Sequence, residues 1–393
     1  MELEGKKNLI YRLMFAVILY TITYTIIFKL VVQGSDYRSH MIIADKIQLG
    51  SIVDYFLNEN PYFMWHILIK LVSKILYIPM EYAVAIVSAL INVLIYCFIN
   101  KIMKIYYVEK SELISFILLL VGPLYIPWYN EKIYLGQGTP NIWHNPTSLV
   151  VKPFAICCFF MVLKLLASIQ QKIEIKRKQY ITLSILIFLS VLAKPSFIQG
   201  FIPGLGGYLL ILCIKDKFRN FKQYIYLCFT FVPGVFLMMY QFIASFYKGD
   251  SAEGIGISWL EVPSYFSPNV WISLLLLFFF PILYLLWNIK KVYQKMDIQL
   301  SICYQGMAWL EYALLYENGR RKYHGNFGWA SALSTFILWM VVLIYFVNDI
   351  KEMKMNDKRQ VIKNSILLVV LLFHLLCGCY YIFCLITVEG MKF

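Results

Sequence analysis

The sequence predicts an all-α polytopic membrane protein of about eleven transmembrane helices, with amphipathic interfacial helices in its first outer loop. Three observations predict this fold class. The 393 residues are 60% hydrophobic and 15% charged, whereas soluble domains carry about 25% charged residues; the mean hydropathy is +0.67. Apolar runs at 9–32, 181–192, 271–287 and 366–386 approach or exceed the ~20 residues that cross a ~30 Å hydrocarbon core. Lys/Arg-rich linkers recur between such runs, at 6–12, 101–110, 172–178, 215–222, 290–295 and 351–363, as the positive-inside rule expects of cytoplasmic loops. No water in the bilayer core satisfies the backbone, so the runs must be helices.

Taken in order, the spans fall near 9–32, 82–100, 112–129, 148–168, 181–199, 200–214, 224–244, 270–288, 298–316, 327–347 and 364–387. The first is too long for the apolar core of a cleavable signal peptide and lacks an A-x-A-like site, so it reads as an anchor. With these spans about 22 of the 36 basic residues are cytoplasmic and about 10 lie outside. That asymmetry predicts a cytoplasmic N-terminus and an outer C-terminus. The outer segments are 33–81, 130–147, 245–269, 317–326 and the tail after Val388, none long enough for a separate soluble domain, so residues 1–393 read as one unit. The nine cysteines all lie in apolar segments without a C-x-x-C pair and read as packing residues. The formal charge of +14 is spread over the linkers, which argues against nucleic acid as a partner. There is no Walker A pattern and no internal repeat, and Gly254-Ile255-Gly256 follows no strand, so nucleotide binding has no support.

The first outer loop carries the most pointed pattern. Ser35 is placed to cap a helix that Gly50 can close. On that helix Asp36 and His40, four positions apart, share a face, while Asp45 points about 180° away. Asp36 and His40 can act together; equally, Asp36 can serve only as a favourable first-turn acid and His40 as a surface residue. Asn60-Pro61 reads as a second helix start. Beyond it His66, Lys70, Ser73, Lys74 and Tyr77 form one polar stripe on an otherwise apolar helix, an interfacial pattern.

Residues 130–152 combine Glu131, Gln137, Asn141, Trp143, His144 and Asn145 between two apolar spans. Aromatic rings beside amides and an acid suit a sugar, by stacking and by hydrogen bonds to hydroxyls; an aromatic belt beside a Gly/Pro/Asn turn gives the same composition. Lys152-Pro153 and Lys194-Pro195 lie near the outer ends of their spans, joined by Arg320, Arg321 and Lys322 in the last outer loop. Cations gathered where the charge rule would remove them need either snorkelling or an anion, such as a lipid phosphate. Four of the five histidines, His40, His66, His144 and His324, are on the outer side. Their spacing is not that of metal ligands, so a divalent metal is conceivable but unsupported.

S-D-Y-x-x-H directly after the first span, N-P-Y-x-x-W-H opening an amphipathic helix, and A-K-P-S-F at 193–197 followed by Pro203 resemble the GT-C superfamily of integral-membrane glycosyltransferases, notably bacterial polysaccharide members. The likeness in layout covers most of the chain, through short motifs. The resemblance implies a sugar donor carried on polyprenyl phosphate, hexosyl or pentosyl transfer, and catalysis by the acid of the first outer loop, here Asp36. The sequence departs from the pattern in lacking a paired D-x-D or E-x-D and an extracytoplasmic C-terminal domain.

The expected activity is therefore sugar transfer to a surface glycan or lipid-linked acceptor on the outer face of a bacterial cytoplasmic membrane, among membrane lipids. Asp36 is the expected base and His40 its orienting partner. Lys152, Lys194, Arg320 and Arg321 would hold phosphate, while His66, Lys70, Trp143, His144, Glu131, Gln137 and His324 would contribute to substrate binding. Inversion is expected because one carboxylate of the first loop faces that side. A polysaccharide polymerase or ligase of another membrane fold, or a flippase for lipid-linked sugars, are the alternatives; a proton-driven carrier is disfavoured because Glu311 is the one acid well inside a span.

Overall fold

The computed structural model describes residues 2–58, 61–130, 138–246, 254–354 and 356–387, with backbone alone for 2–6, 58 and 320. The chain begins with α1 (Glu2–Gln33), forms three short helices, α2 (Asp36–Asp45), α3 (Ile52–Asn58) and α4 (Met64–Leu76), and returns as α5 (Met80–Ile105). Next come α6 (Ser111–Leu120), α7 (Pro146–Gln170), α8 (Arg177–Ala193), α9 (Ser196–Lys215), α10 (Phe221–Phe229) and α11 (Val232–Phe246). A short strand β1 (Ile255–Ile257) precedes α12 (Glu261–Phe266), α13 (Val270–Trp287), α14 (Ile289–Gln294) and α15 (Met296–Leu314). Strand β2 (Leu315–Glu317), α16 (Gly328–Lys351) and α17 (Lys358–Thr387) complete the fold. The strands pair antiparallel, Ile255 opposite Glu317, so a small ribbon interrupts an otherwise helical architecture.

Among the described residues α1, α5, α7, α9, α13, α16 and α17 are long and apolar enough to cross a membrane; α10 and α11, bent by 44°, add an eighth if they form one broken span. The expectation of about eleven is thus met by seven or eight. Three segments fall short for separate reasons. α6 stops after 10 residues, where Gly122-Pro123 breaks it. α8 has 17 residues. α15 carries Asp297, Gln299, Gln305 and Glu311, and it sits inside the bundle, where its polar groups have partners: Gln305 Oε1 accepts from Ser334 at 2.7 Å and Thr335 at 3.1 Å, and Asp297 accepts from Tyr345 at 2.8 Å. The close approach of α9 to α15 requires glycine at 204, where a Cβ would lie 2.8 Å from the Tyr304 Cα.

The irregular backbone after α6 is held by its neighbours. Gly122 N donates to the His374 carbonyl (3.1 Å), His374 Nδ1 donates to the Gly122 carbonyl (2.8 Å), and Leu124 N donates to the Leu276 carbonyl (3.1 Å). Tyr125 N reaches Cys377 Sγ at 3.4 Å. Non-helical backbone packed among helices is tolerable only when satisfied in this way.

Ion pairs tie two of the basic linkers, 101–110 and 290–295, to the end of α16. Lys104 pairs with Glu112 (2.6 Å), Lys351 with Glu109 (3.3 Å), and Lys291 with Asp349. In the 33–81 segment Ser35 caps α2, its Oγ accepting from Tyr37 N at 3.2 Å, as expected. Gly50 does not close that helix: α2 ends at Asp45, and Gly50 lies in a following 3-10 turn. α4 begins at Met64 rather than at Pro61, whose carbonyl instead accepts from Gln241 Nε2 of α11 at 3.0 Å. With 13 residues, α4 is about 20 Å long, too short to cross ~30 Å of hydrocarbon.

Candidate functional site

A cavity of about 970 Å³ is lined by the start of α2, the start of α4, residues 144–147, the α8–α9 break, α11 and the 311–329 stretch. Each wall follows from local sequence. Ser35 nucleates α2, so Asp36 and His40 project from one face of its first turns. Asn145 caps α7, its Oδ1 accepting from Ser148 N at 2.9 Å, while its Nδ2 donates to Asp36 Oδ2 at 3.2 Å. Pro195 ends α8, leaving Lys194 as an extended C-cap that points into the cavity. Met238, Met239, Phe242, Ile243 and Phe246 of α11 form an apolar wall.

The cavity brings together Asp36, His40, His66, His144, Lys194, Arg321 and His324, seven of the residues singled out from sequence. His40 does not orient Asp36 as expected: its Nδ1 lies 2.9 Å from His66 Nε2, and Asn145 is the bonded partner of Asp36. His66 Nδ1 lies 3.1 Å from the Tyr62 carbonyl. Lys194 Nζ sits 4.5 Å above the Trp329 ring and 3.4 Å from Ser148 Oγ. Arg321 donates to the Ser245 carbonyl at 3.3 Å and approaches Glu317 at 3.9 Å.

Burial makes the imidazoles poor bases. It pushes His40 down to about 3, helped by His66 and Lys194. It pushes His144 to about 3, helped by Lys194, and His66 to about 4 against the opposing Tyr62 carbonyl. Burial also lowers Lys194 to about 7, with Asp36 and Glu317 pulling it back up. Burial thus favours neutral imidazoles at His40, His66 and His144 and weakens the hold of the Lys194 amine on its proton.

Three residues expected at the site lie elsewhere. Lys152 is buried away from the cavity: its Nζ reaches the Pro140 carbonyl (3.4 Å) and Asn141 Oδ1 (3.3 Å) and lies 3.8 Å from the Phe336 ring centroid. Its fellow Lys-Pro lysine differs because α7 continues through Pro153, whereas α8 breaks at Pro195. Lys70 is tied to Asp45 at 2.9 Å and does not line the cavity. Trp143 is buried in the core instead of facing a ligand. Glu311 and Glu317, from outside the first loop, join Asp36 in the cavity. Glu131, Gln137 and the Arg320 side chain lie outside the described residues.

Sequence reasoning missed Glu317, Tyr62 and Trp329 as lining residues. Tyr62 lay within the quoted N-P-Y motif; Glu317 and Trp329 gave no spacing signal. No group of three or more His, Cys, Asp or Glu side chains is arranged to hold a metal ion among the described residues. No family model matches the sequence, and the search of curated proteins finds no match.

Proposed function

We propose that this chain is a membrane glycosyltransferase that moves a sugar from a polyprenyl-phosphate carrier to an acceptor hydroxyl, on the outer face of a bacterial cytoplasmic membrane. The observation carrying this reading is one juxtaposition: the Asp36 carboxylate shares a large cavity with Lys194, Arg321 and neutral imidazoles, beside an apolar wall from α11. That combination suits a ligand with a phosphate, a hydroxylated ring and a lipid chain. The positive-inside rule supports the outward orientation, because the cavity-lining segments lie in or beside the outer loops and most basic residues lie in the other linkers. Outside the membrane no nucleotide sugar is available, so a lipid-borne donor is the chemically consistent one.

In this mechanism the acceptor oxygen forms a bond to the anomeric carbon as the bond to the phosphate oxygen breaks. Asp36 takes the hydroxyl proton, a general-base step. Lys194 and Arg321 receive the negative charge that develops on the departing lipid phosphate, as preorganised cations can. Asn145, bonded to Asp36, holds the carboxylate in place.

The test compares Asp36→Asn with Asp45→Asn in living cells, reading surface glycan and lipid-linked sugar. Asp45 is an apt control because it pairs with Lys70 away from the cavity. Only the Asp36 change should abolish transfer and let donor accumulate. Wild-type glycan in both variants rejects the assignment; failed translocation of lipid-linked sugar favours a flippase.

A further inference from the structure

The contact between His40 and His66 fixes more than position, because a chain of forced choices runs through it. The Tyr62 carbonyl can only accept, so His66 Nδ1, 3.1 Å away, must carry a proton and donate. A neutral His66 then has a bare Nε2, which can only accept. His40 Nδ1, 2.9 Å from that atom, must therefore be protonated. The remaining nitrogen, His40 Nε2, is left as a lone pair, with no protein partner among the described residues, on a side chain that lines the cavity. The alternative in which His66 is doubly protonated would reverse the His40 tautomer. It requires a cation on a fully buried ring whose pKa burial holds near 4.

We propose that His66 acts as a positioning residue that locks His40 Nε2 as a hydrogen-bond acceptor for a ligand hydroxyl beside Asp36. The i, i+4 spacing puts the lone pair and the carboxylate on one face of α2. One hydroxyl has one proton, so the hydroxyl that donates to His40 Nε2 is a neighbour of the one whose proton Asp36 takes. The identity of that hydroxyl, on a sugar acceptor, rests on the transferase reading. The tautomer does not. The pair thus selects ligands that present a donor at this point, since an analogue lacking the hydroxyl leaves a partly buried acceptor unsatisfied.

The tautomer is read directly by ¹⁵N NMR of the full chain in nanodiscs, labelled at its five histidines and assigned by the spectrum of His40→Gln. The expected result at pH 7 is a protonated Nδ1 and a bare Nε2 on His40 in the wild type. His66→Gln, whose amide oxygen can still accept from His40, keeps that signature. His66→Asn, which can still bond the Tyr62 carbonyl but does not reach His40, gives a tautomer mixture. Transfer in cells should fall at least tenfold in His66→Asn and be largely retained in His66→Gln, a pattern that a purely structural role would not produce. A wild-type His40 protonated at Nε2 overturns the inference. So does unaltered transfer in His66→Asn while Asp36→Asn abolishes it, an outcome that leaves the transferase reading standing. Unaltered transfer in Asp36→Asn rejects the transferase reading itself, and with it the hydroxyl assignment.

Discussion

Replacing Lys194 by arginine separates the presence of a cation from its titration. Burial lowers the Lys194 pKa from 10.5 to about 7, while Asp36 and Glu317 act in the opposite direction. A lysine is charged below its pKa, so the cation is present in acid and lost as pH rises through about 7. The charged fraction of the empty site then drops from about nine-tenths at pH 6 to about one-tenth at pH 8, roughly a tenfold change. An arginine at the same place stays charged throughout. The assay is binding of a polyprenyl-phosphate sugar in nanodiscs from pH 6 to 8, a phosphodiester whose own charge is constant over that range. Wild-type affinity should weaken about tenfold, whereas the Lys194→Arg affinity should stay nearly flat. Asp36→Asn removes a carboxylate that supports the charge, so its midpoint should move to lower pH. Equal pH slopes in wild type and Lys194→Arg would refute the reasoning that this amine carries the anion.

Three further outcomes follow from packing. Gly378→Ala would place a Cβ 1.8 Å from the Leu120 carbonyl oxygen and 2.6 Å from Gly122 N; backbone cannot yield as a side chain does, so a loss of about 1–3 kcal/mol or more is expected, read as a lowered melting temperature in detergent. Gly206→Ala, with nothing within 4 Å of the added carbon and a place inside α9, should raise stability by about 0.5–1 kcal/mol on helix propensity alone. Lys152→Met should cost about 1–3 kcal/mol by leaving the Pro140 carbonyl and Asn141 Oδ1 without their donor, yet leave phosphodiester affinity within twofold of wild type; a large affinity loss would return Lys152 to the ligand site.

Seven or eight of the expected spans were legible because length and hydropathy are local properties, readable wherever an apolar run meets a charged linker. α15 was counted as a span from its length, yet it carries Asp297 and Gln305, which Tyr345, Ser334 and Thr335 bond, and it is not among the seven or eight helices apolar enough to cross. The Asp36/His40 register was legible from the Ser35 cap and the i, i+4 rule. The partner of each was not, because Asn145 is 109 residues from Asp36 and His66 is 26 residues from His40. Periodicity identified the His66 stripe on α4 without revealing that only its first turns are enclosed, where Trp65, His66 and Ile69 are buried, while Lys74 and Tyr77 are exposed. The two Lys-Pro pairs read alike in sequence. Only tertiary packing decided that one helix runs on through its proline and the other stops.

The backbone cross-ties beyond α6 have a mechanical consequence for the bundle. Gly122 exchanges bonds with His374 of α17, and Leu124 bonds Leu276 of α13, two positions along the same stretch. These bonds act as a peg between two rods. A slide of α13 or α17 by a single helical turn, about 5.4 Å, would strand several peptide groups in hydrocarbon at several kcal/mol each. The two helices are therefore locked in axial register, and exchange of a bulky ligand must be accommodated without any piston-like travel of that pair.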